Sequence, residues 1–205
     1  MYKHIIWDFD GTLFDTYPVM AKAFKKELEQ EGIEESMDEI LRYMKVSISH
    51  TIQHYKEIYD IDDEFIQRYT KQRRITEMEL CKPFDGIEEI CRYINTTDRN
   101  NYLYTHRGES ALKFLEKYHM YEYFTDFITS QNGFLRKPSP DAINYLIDKY
   151  DIMHDEAIMI GDRDLDILSA KNAGIHTCFL TDGDGTDSIA DYTVNNIEKL
   201  YSIIE

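Results

Sequence analysis

The sequence predicts an α/β protein with a parallel sheet, helices on both faces of that sheet and an inserted all-α block. After about Pro83, short runs rich in Val, Ile and aromatic residues alternate with helical patterns. Strand, helix and strand in repetition predict parallel strands joined by crossover helices. The apolar run before Asp8 adds a strand at the start of the chain, and a long helical stretch separates that strand from the others.

Each predicted strand is a short apolar or aromatic run. The predicted strands are Lys3–Asp8, Asn101–Thr105, Phe127–Thr129, Ala157–Gly161, Ile175–Leu180 and Tyr192–Val194. Apolar residues at helical spacing predict the helices between them, over Ile87–Asn95, Glu109–Tyr118, Pro140–Tyr150, Leu165–Ala173 and Ile197–Ile204. We expect Ser139 to cap the helix that begins with Pro140, and Gly174 to end the next one.

Residues 16–80 interrupt this alternation with helical patterns alone, over Val19–Gln30, Met37–Met44, Ile48–Tyr59 and Asp62–Glu79. The predicted division is therefore a core of residues 1–15 and 81–205 and a helical cap of residues 16–80. The block follows the first strand directly, at the carboxyl edge where open α/β sheets bind ligands. A lid over the site is one interpretation, and an elaborated crossover without a chemical role is the other.

Composition limits the classes of partner. The chain has 205 residues and a formal net charge of −16, with a pI near 4.8. Such acidity argues against nucleic acid or an anionic membrane surface as a partner. The three cysteines, Cys81, Cys91 and Cys178, are too few and too scattered for a disulfide framework or a zinc site. No run has signal-peptide or membrane-spanning character, so we expect a cytoplasmic protein.

The segment Asp8-Phe9-Asp10-Gly11-Thr12 is the first candidate for chemistry. Side chains two apart on an extended strand point the same way, so Asp8 and Asp10 are expected to lie side by side. Two such carboxylates repel each other, which favours a hard, oxygen-seeking cation such as Mg2+. One acid could then attack an electrophile while the other moves a proton. A turn that merely uses Asp and Gly is the alternative interpretation.

Two further candidates contribute a hydroxyl and a cation. Thr105 ends an apolar strand, and its hydroxyl and the N–H groups of the following turn could bind phosphate oxygens. His106 and Arg107 could either line the cleft or face solvent. Lys137 lies just before a predicted helix, where its ammonium could neutralise an anionic substrate or the acid pair, although a single lysine is usually a surface residue.

The fourth candidate is the segment from Gly161 to Asp166, which follows an apolar strand. Asp162 and Asp166 could reach the same cation as Asp8, because parallel strands present their carboxyl ends at one edge of a sheet. Asp164 is expected to cap the next helix. The alternative is that all these acids serve only as helix caps and partners of the helix dipole.

The order of these four segments resembles the haloacid dehalogenase-like (HAD) hydrolase superfamily. Asp8 to Thr12 resembles its first motif, Thr105 its second, Lys137 its third, and Asp162 with Asp166 its fourth. The sequences Leu13-Phe14-Asp15 and Pro83-Phe84-Asp85-Gly86-Ile87 also resemble those that flank the helical cap in the phosphoglycolate phosphatase-like branch of subfamily I. The resemblance covers essentially the whole chain.

This resemblance implies a Rossmann-like core and hydrolysis of a small phosphomonoester through an aspartyl phosphate. By resemblance, Asp8 is the nucleophile and Asp10 is the general acid and base. The implied phosphate- or substrate-binding residues are Gly11, Thr105, His106, Arg107 and Lys137. The implied Mg2+ site consists of Asp8, the carbonyl of Asp10, Asp162 and Asp166, with Asp166 either a ligand or a support. The implied partner is a small phosphorylated metabolite.

Other activities remain to be compared with this one. The dehalogenases of the superfamily lack a residue equivalent to Asp10, so carbon–halogen cleavage is disfavoured. Sugar phosphomutases share all four motifs, but their cap motif resembles Lys-Gly-Val-Ser-Arg, whereas this chain reads Lys45-Val46-Ser47-Ile48-Ser49 and lacks the Arg. A receiver domain of a signalling relay has no acid pair after its Lys and no cap of this size. A catalytically silent member that only binds a phosphorylated metabolite as a regulator has little use for a proton donor, so Asp10 favours catalysis.

Overall fold

A computed structural model describes residues 1–181, 183 and 189–205. The chain forms two compact units. The core unit comprises Met1–Leu13 and Pro83–Glu205, and the helical unit comprises Phe14–Lys82. Among the described residues, no helix combines the length and the apolar character needed to cross a membrane.

The core unit is built on a six-stranded parallel sheet, as far as the described residues show. Its strands are β1 (His4–Trp7), β2 (Asn100–Tyr104), β3 (Phe124–Ile128), β4 (Ala157–Gly161), β5 (His176–Leu180) and β6 (Tyr192–Val194). Their spatial order is β3-β2-β1-β4-β5-β6. This doubly wound order confirms the predicted Rossmann-like α/β core.

The helical unit contains four helices that follow β1 in the chain. They are α1 (Tyr17–Gln30), α2 (Met37–Val46), α3 (Ile48–Tyr59) and α4 (Asp63–Leu80). The side chains of Ser36, Ser47 and Asp62 each accept a hydrogen bond from the N–H three residues on, which caps α2, α3 and α4. The ring of Phe24 meets those of Tyr55, Phe65 and Tyr69 at centroid distances of 5.1, 5.3 and 5.0 Å, and these aromatic side chains form the centre of the unit.

Helices of the core unit cover the two faces of the sheet. They are α5 (Ile87–Thr96), α6 (Ser110–Lys117), α7 (Asp141–Tyr150), α8 (Asp164–Asn172) and α9 (Glu198–Ile204). On one face, Ile6 of β1 and Met159 of β4 pack in the same buried cluster as Leu146 of α7. On the other face, Asn101 of β2 donates a hydrogen bond to the Cys91 carbonyl of α5. Side chains alternate between these faces along each strand.

The strand order determines where a ligand site can form. β1 lies between β2 and β4, and the connections run outward from it in opposite directions. In open sheets of this kind, ligands bind at the carboxyl ends of the strands where the order reverses. The segments that follow β1, β2 and β4 carry Asp8, Thr105 and Asp162, respectively. Three of the four candidate segments therefore lie on adjacent strands.

Two local expectations differ from the structure. β3 begins three residues earlier than predicted, because pairing with β2 extends back to Phe124, across an irregularity at Asn101 and Tyr102. The predicted capping of α7 by Ser139 is wrong. The cap residue is Pro140, and α7 begins at Asp141, whose N–H lies 3.3 Å from the Ser139 hydroxyl. The predicted end of α8 is confirmed, since Gly174 follows it with a φ of +75°.

Asn101 connects three parts of the core unit. Its side chain is fully buried, accepts a hydrogen bond from Trp7 Nε1 (2.9 Å) and donates to the carbonyls of Cys91 (2.9 Å) and Tyr123 (3.0 Å). A buried polar group that loses its partner costs about 1–3 kcal/mol.

We therefore expect Asn101→Ala to lower the free energy of unfolding by about 3 kcal/mol, because it leaves one donor and two acceptors without their partner. Urea unfolding of the purified variant measures this change. Asn95→Ala is the matched control, because Asn95 is exposed on α5 and its replacement should change stability by less than about 0.5 kcal/mol. Equal effects of the two substitutions would contradict the role given to Asn101.

Candidate active site

Lys137 is the centre of a buried polar cluster at the carboxyl edge of the sheet. Its side chain is fully buried, and its Nζ donates to Asp8 Oδ1 (2.6 Å), Asp166 Oδ1 (2.7 Å) and the Tyr104 carbonyl (2.8 Å). An ammonium has three N–H groups, so all of its donors are used. Lys137 therefore links the segment after β1 and the last residue of β2 to the first turn of α8.

Asp8 keeps one oxygen free within this cluster. Its carboxylate is buried, and within the part of the chain that the structure describes Oδ2 has no hydrogen-bond partner although it is shielded from water. An unpaired buried carboxylate oxygen is unfavourable unless a cation or another donor reaches it. Oxygens of Asp8, Asp162 and Asp166 lie within 4.8 Å of one another. Three carboxylates around one ammonium leave an excess of negative charge. A divalent cation that prefers oxygen ligands would neutralise this excess.

Asp162 and Asp166 have different surroundings. Asp166 accepts from Lys137 Nζ at Oδ1 and from the Arg163 N–H at Oδ2 (3.1 Å), so both of its oxygens are engaged. Asp162 Oδ1 lies 3.4 Å from the Thr12 hydroxyl. Asp166 thus holds Lys137 and the turn, whereas Asp8 Oδ2 has no such partner among the described residues. The predicted capping by Asp164 is wrong, since the cap residue of α8 is Arg163.

Gly161 makes room for this arrangement at the end of β4. A Cβ on Gly161 would lie 2.3 Å from Cβ and 2.6 Å from Cγ of Asp166. Any side chain there would displace the Asp166 carboxylate from Lys137.

Asp10 is paired with Arg107. Arg107 Nε lies 2.8 Å from each oxygen of the Asp10 carboxylate, and Nη2 lies 2.7 Å from Oδ1. The guanidinium also lies over the rings of Phe9 and Phe114, at 5.3 and 5.7 Å from their centroids. β1 ends at Trp7 and Gly11 turns the chain with a φ of +77°, so the strand spacing alone does not determine where the Asp10 carboxylate points. The Arg107 side chain is mostly shielded from solvent, so it does not simply face solvent.

Thr105 and His106 lie where β2 ends. Thr105 Oγ1 accepts from the Arg107 N–H at 3.1 Å, which shapes the turn between β2 and α6. The His106 ring is half-buried, and its Nε2 accepts from the backbone N–H of Lys137 at 2.9 Å. The candidate residues therefore fall into one cluster around Lys137 and one ion pair at Asp10, with His106 connecting the turn after β2 to the Lys137 segment.

Burial and the charges in the cluster together raise the pKa values of Asp8 and Lys137. Burial, followed by repulsion from Asp166, raises the pKa of Asp8 to about 6, although Lys137 and Arg163 partly oppose the rise. Burial alone would lower the pKa of Lys137, but the carboxylates of Asp166 and Asp8 outweigh it and raise that pKa. The lysine therefore stays charged, while the buried Asp8 carboxyl ionises only at a higher pH than an ordinary aspartate does.

Comparison with known proteins identifies the family. The model of the family "Haloacid dehalogenase-like hydrolase" matches residues 5–180. This chain belongs to that family, as its motifs indicated, and is an enzyme of the HAD-like hydrolase type.

Named relatives agree with this assignment. The phosphoglycolate phosphatase of Aliivibrio fischeri is 26% identical, over 88% of this chain and 85% of its own length. A 5'-nucleotidase of Pseudomonas aeruginosa is 25% identical, over 85% of this chain and 80% of its own length. The crystal structure of a hydrolase from Streptococcus pneumoniae TIGR4 matches with a TM-score of 0.73 and 30% identity, covering 99% of this chain and 98% of that one. The chain is thus similar to enzymes named for different phosphorylated substrates.

Several contacts of the site have no signal in the sequence. The pairing of Arg107 with Asp10 and the contact of His106 with Lys137 join residues about 97 and 31 positions apart. The need for glycine at position 161 is visible only once the Asp166 side chain is placed beside it. Thr12 lies inside the first motif, and its position there is the one signal that could have suggested its contact with Asp162.

We expect Gly161→Ala to destabilise the protein by about 1–3 kcal/mol, because the new methyl group overlaps Asp166 in a tightly packed place. Urea unfolding measures the change. Gly183→Ala is the control, since among the described residues a Cβ at Gly183 would meet only the Thr181 hydroxyl, at 3.8 Å. A Gly161→Ala protein as stable as the wild type would show that Asp166 does not occupy this position.

Asp8→Asn should stabilise the protein in EDTA at neutral pH. The folded-state pKa of Asp8 is raised from 3.8 to about 6, so ionisation of Asp8 opposes folding, increasingly as the pH rises from 3.8 and to its full extent above 6. Removing the charge should therefore raise the free energy of unfolding by up to about 3 kcal/mol, at about 1.4 kcal/mol per pKa unit.

The gain in the free energy of unfolding should shrink as the pH falls from about 6, the pKa of Asp8 in the folded protein, toward 3.8, its ordinary value. Urea unfolding of wild type and variant at about pH 7.5 and about pH 5 measures both gains. Asp155→Asn serves as the control, because Asp155 is exposed. A gain that is equal at both pH values would contradict the electrostatic origin.

Proposed function

We propose that this chain is a Mg2+-dependent phosphatase that hydrolyses a small phosphorylated metabolite through an aspartyl phosphate on Asp8. The observation that carries the proposal is the buried Asp8 carboxylate. One of its oxygens is held by Lys137, the other has no hydrogen-bond partner among the described residues, and oxygens of Asp8, Asp162 and Asp166 lie within 4.8 Å of one another. Such an arrangement suits a fixed nucleophile that shares a metal with its neighbours. The names of the relatives, phosphoglycolate phosphatase and 5'-nucleotidase, support the same class of substrate.

The residues present fit a magnesium ion. Asp8, Asp162 and the backbone carbonyl of Asp10 would hold it, while Asp166 keeps Lys137 in place. Bound Mg2+ would supply positive charge to the phosphoryl oxygens. Lys137 adds a second positive charge, and because its three N–H groups are already used it acts by fixing Asp8 rather than by moving a proton.

Two displacements at phosphorus make up the reaction. In the first, an Asp8 oxygen bonds to phosphorus and the ester oxygen leaves with a proton from Asp10. In the second, water attacks the acyl phosphate, Asp10 takes its proton, and Asp8 is released with inorganic phosphate. The Thr105 hydroxyl and the N–H groups of the turn after β2, including that of His106, would bind the phosphoryl oxygens.

Arg107 affects both steps through Asp10. Arg107 contacts both oxygens of the Asp10 carboxylate, and the carboxylate form is the one needed to accept a proton from water. Before the first step Asp10 has to take up a proton, and this weakens its pair with Arg107. Arg107 is thus proposed to set the orientation of Asp10, in addition to any contact with substrate.

The helical unit is proposed to act as the cap, within predicted bounds of residues 16–80. It is inserted between the first strand and the remainder of the core, directly after the segment that carries Asp8 and Asp10. Caps in this position are expected to select the substrate, whereas the phosphoryl chemistry belongs to the core.

Hydrolysis of p-nitrophenyl phosphate tests the proposal. The wild-type protein should release phosphate with Mg2+ and stop in EDTA. Asp8→Asn should abolish turnover, and Asp10→Asn should lower kcat about 10²- to 10⁴-fold, the usual contribution of a general acid and base. The exposed Asp155→Asn variant should match the wild type. Turnover that survives in Asp8→Asn or in EDTA would overturn the mechanism.

A second experiment separates the phosphatase from a phosphomutase. The protein is incubated with sugar monophosphates, and free phosphate and isomerised sugar phosphate are both measured. We expect free phosphate as the product. Isomerised sugar phosphate without release of phosphate would identify a mutase, and absence of any turnover, with binding retained, would identify a silent binding protein.

A further inference from the structure

The His106 side chain occupies a position that the proposed chemistry does not use. Its Nε2 accepts a hydrogen bond of 2.9 Å from the backbone N–H of Lys137. Its ring lies edge-on to Tyr104, with centroids 6.3 Å apart. His106 follows β2, whereas Lys137 lies in the segment that leads to α7, so this contact connects two parts of the site that are far apart in the chain.

The contact requires one particular form of the imidazole ring. A neutral imidazole has one acceptor nitrogen and one N–H, and a protonated ring has no acceptor. Nδ1 lies 3.4 Å from Arg136 Nε, which is also a donor, so the ring cannot accept at both nitrogens. The shorter contact is the one to Lys137, which places the proton on Nδ1.

The surroundings of His106 keep the ring neutral. Burial, followed by the positive charges of Lys137, Arg136 and Arg163, lowers the pKa of His106 to about 3, although Asp166 acts in the opposite direction. At neutral pH the ring therefore remains an acceptor.

We propose that His106 is a positioning residue whose Nε2 anchors the backbone of Lys137, so that the Lys137 ammonium is held between Asp8 and Asp166. Only the kinetic consequence of this proposal rests on the proposed function, because an effect on kcat requires Asp8 to be the nucleophile. Its structural part, an acceptor at Nε2 and a restrained Lys137 backbone, stands independently of any activity.

The need for such an anchor follows from the chemistry of lysine. Its side chain has four flexible carbons, and the ammonium reaches three acceptors at once, at distances between 2.6 and 2.8 Å. A displacement of about 1 Å near a reacting group can reduce the rate about 10²-fold. Fixing the Lys137 backbone removes much of the freedom that would allow this displacement.

Kinetics with p-nitrophenyl phosphate test the consequence for catalysis. His106→Leu keeps an apolar body but removes the acceptor, and it should lower kcat about 10- to 100-fold with little change in KM. His106→Gln places an amide oxygen the same number of bonds from Cβ as Nε2, so it should restore most of the lost kcat. His154→Leu is the control, because His154 is an exposed histidine at the start of a short 3-10 helix. Equal losses in the Leu and Gln variants of His106 would overturn the positioning role.

Two measurements without substrate test the anchor itself. In 15N NMR spectra at neutral pH, the His106 ring should show an unprotonated Nε2 and a protonated Nδ1, assigned by the signals lost in His106→Gln. Hydrogen exchange of the Lys137 amide should be at least about tenfold faster in His106→Leu than in the wild type or His106→Gln. A protonated Nε2, or unchanged exchange of the Lys137 amide in His106→Leu, would overturn the proposal even in a protein that hydrolyses p-nitrophenyl phosphate.

The two proposals can also fail separately. A wild-type protein that shows no turnover but gives the expected NMR and exchange results would reject the proposed function and leave the anchoring role of His106 intact.

Discussion

The buried ammonium of Lys137 is the interaction on which the rest of the site depends. Removing an ammonium and two carboxylates from water costs several kcal/mol per ion, and only close, complete hydrogen bonding offsets that. Lys137 meets this condition with three acceptors from three parts of the chain, at Asp8, Tyr104 and Asp166. The positions of β1, β2, α8 and the segment before α7 are therefore coupled through one nitrogen atom.

This arrangement favours reactivity over stability. Burial and the charge of Asp166 resist ionisation of Asp8, and its Oδ2 has no donor among the described residues. Both features weaken the protein as it stands, and in the proposed mechanism both favour the approach of a cation. Natural proteins commonly accept such unfavourable electrostatics at active sites, because the surrounding core is stable enough to tolerate it. Here the core includes the aliphatic and aromatic side chains on both faces of the sheet.

The predicted elements agree with the structure where periodicity is strong and differ where tertiary contacts decide. β1, β4 and the helices of both units lie close to their predicted positions, because apolar spacing is a local property of the chain. The start of β3 was misplaced because its pairing with β2 is irregular. The caps of α7 and α8 were misassigned by one residue, at Ser139 and Asp164, since several neighbouring polar residues can satisfy the same N–H groups.

The sequence by itself determined the fold class, the family and the order of the chemical groups, because these depend on local periodicity and on motifs that follow strand ends. Strand ends indicated that Asp8, Thr105 and Asp162, with Asp166 beyond the last of these, would lie together, since parallel strands present their carboxyl ends at one edge. The order of the motifs added Lys137 by resemblance to the family. Only the tertiary structure decided how these groups share their hydrogen bonds. The pairing of Asp10 with Arg107, the free Oδ2 of Asp8, the close packing of Gly161 on Asp166 and the anchoring of Lys137 by His106 depend on distances between segments far apart in the chain, which spacing along one sequence does not contain.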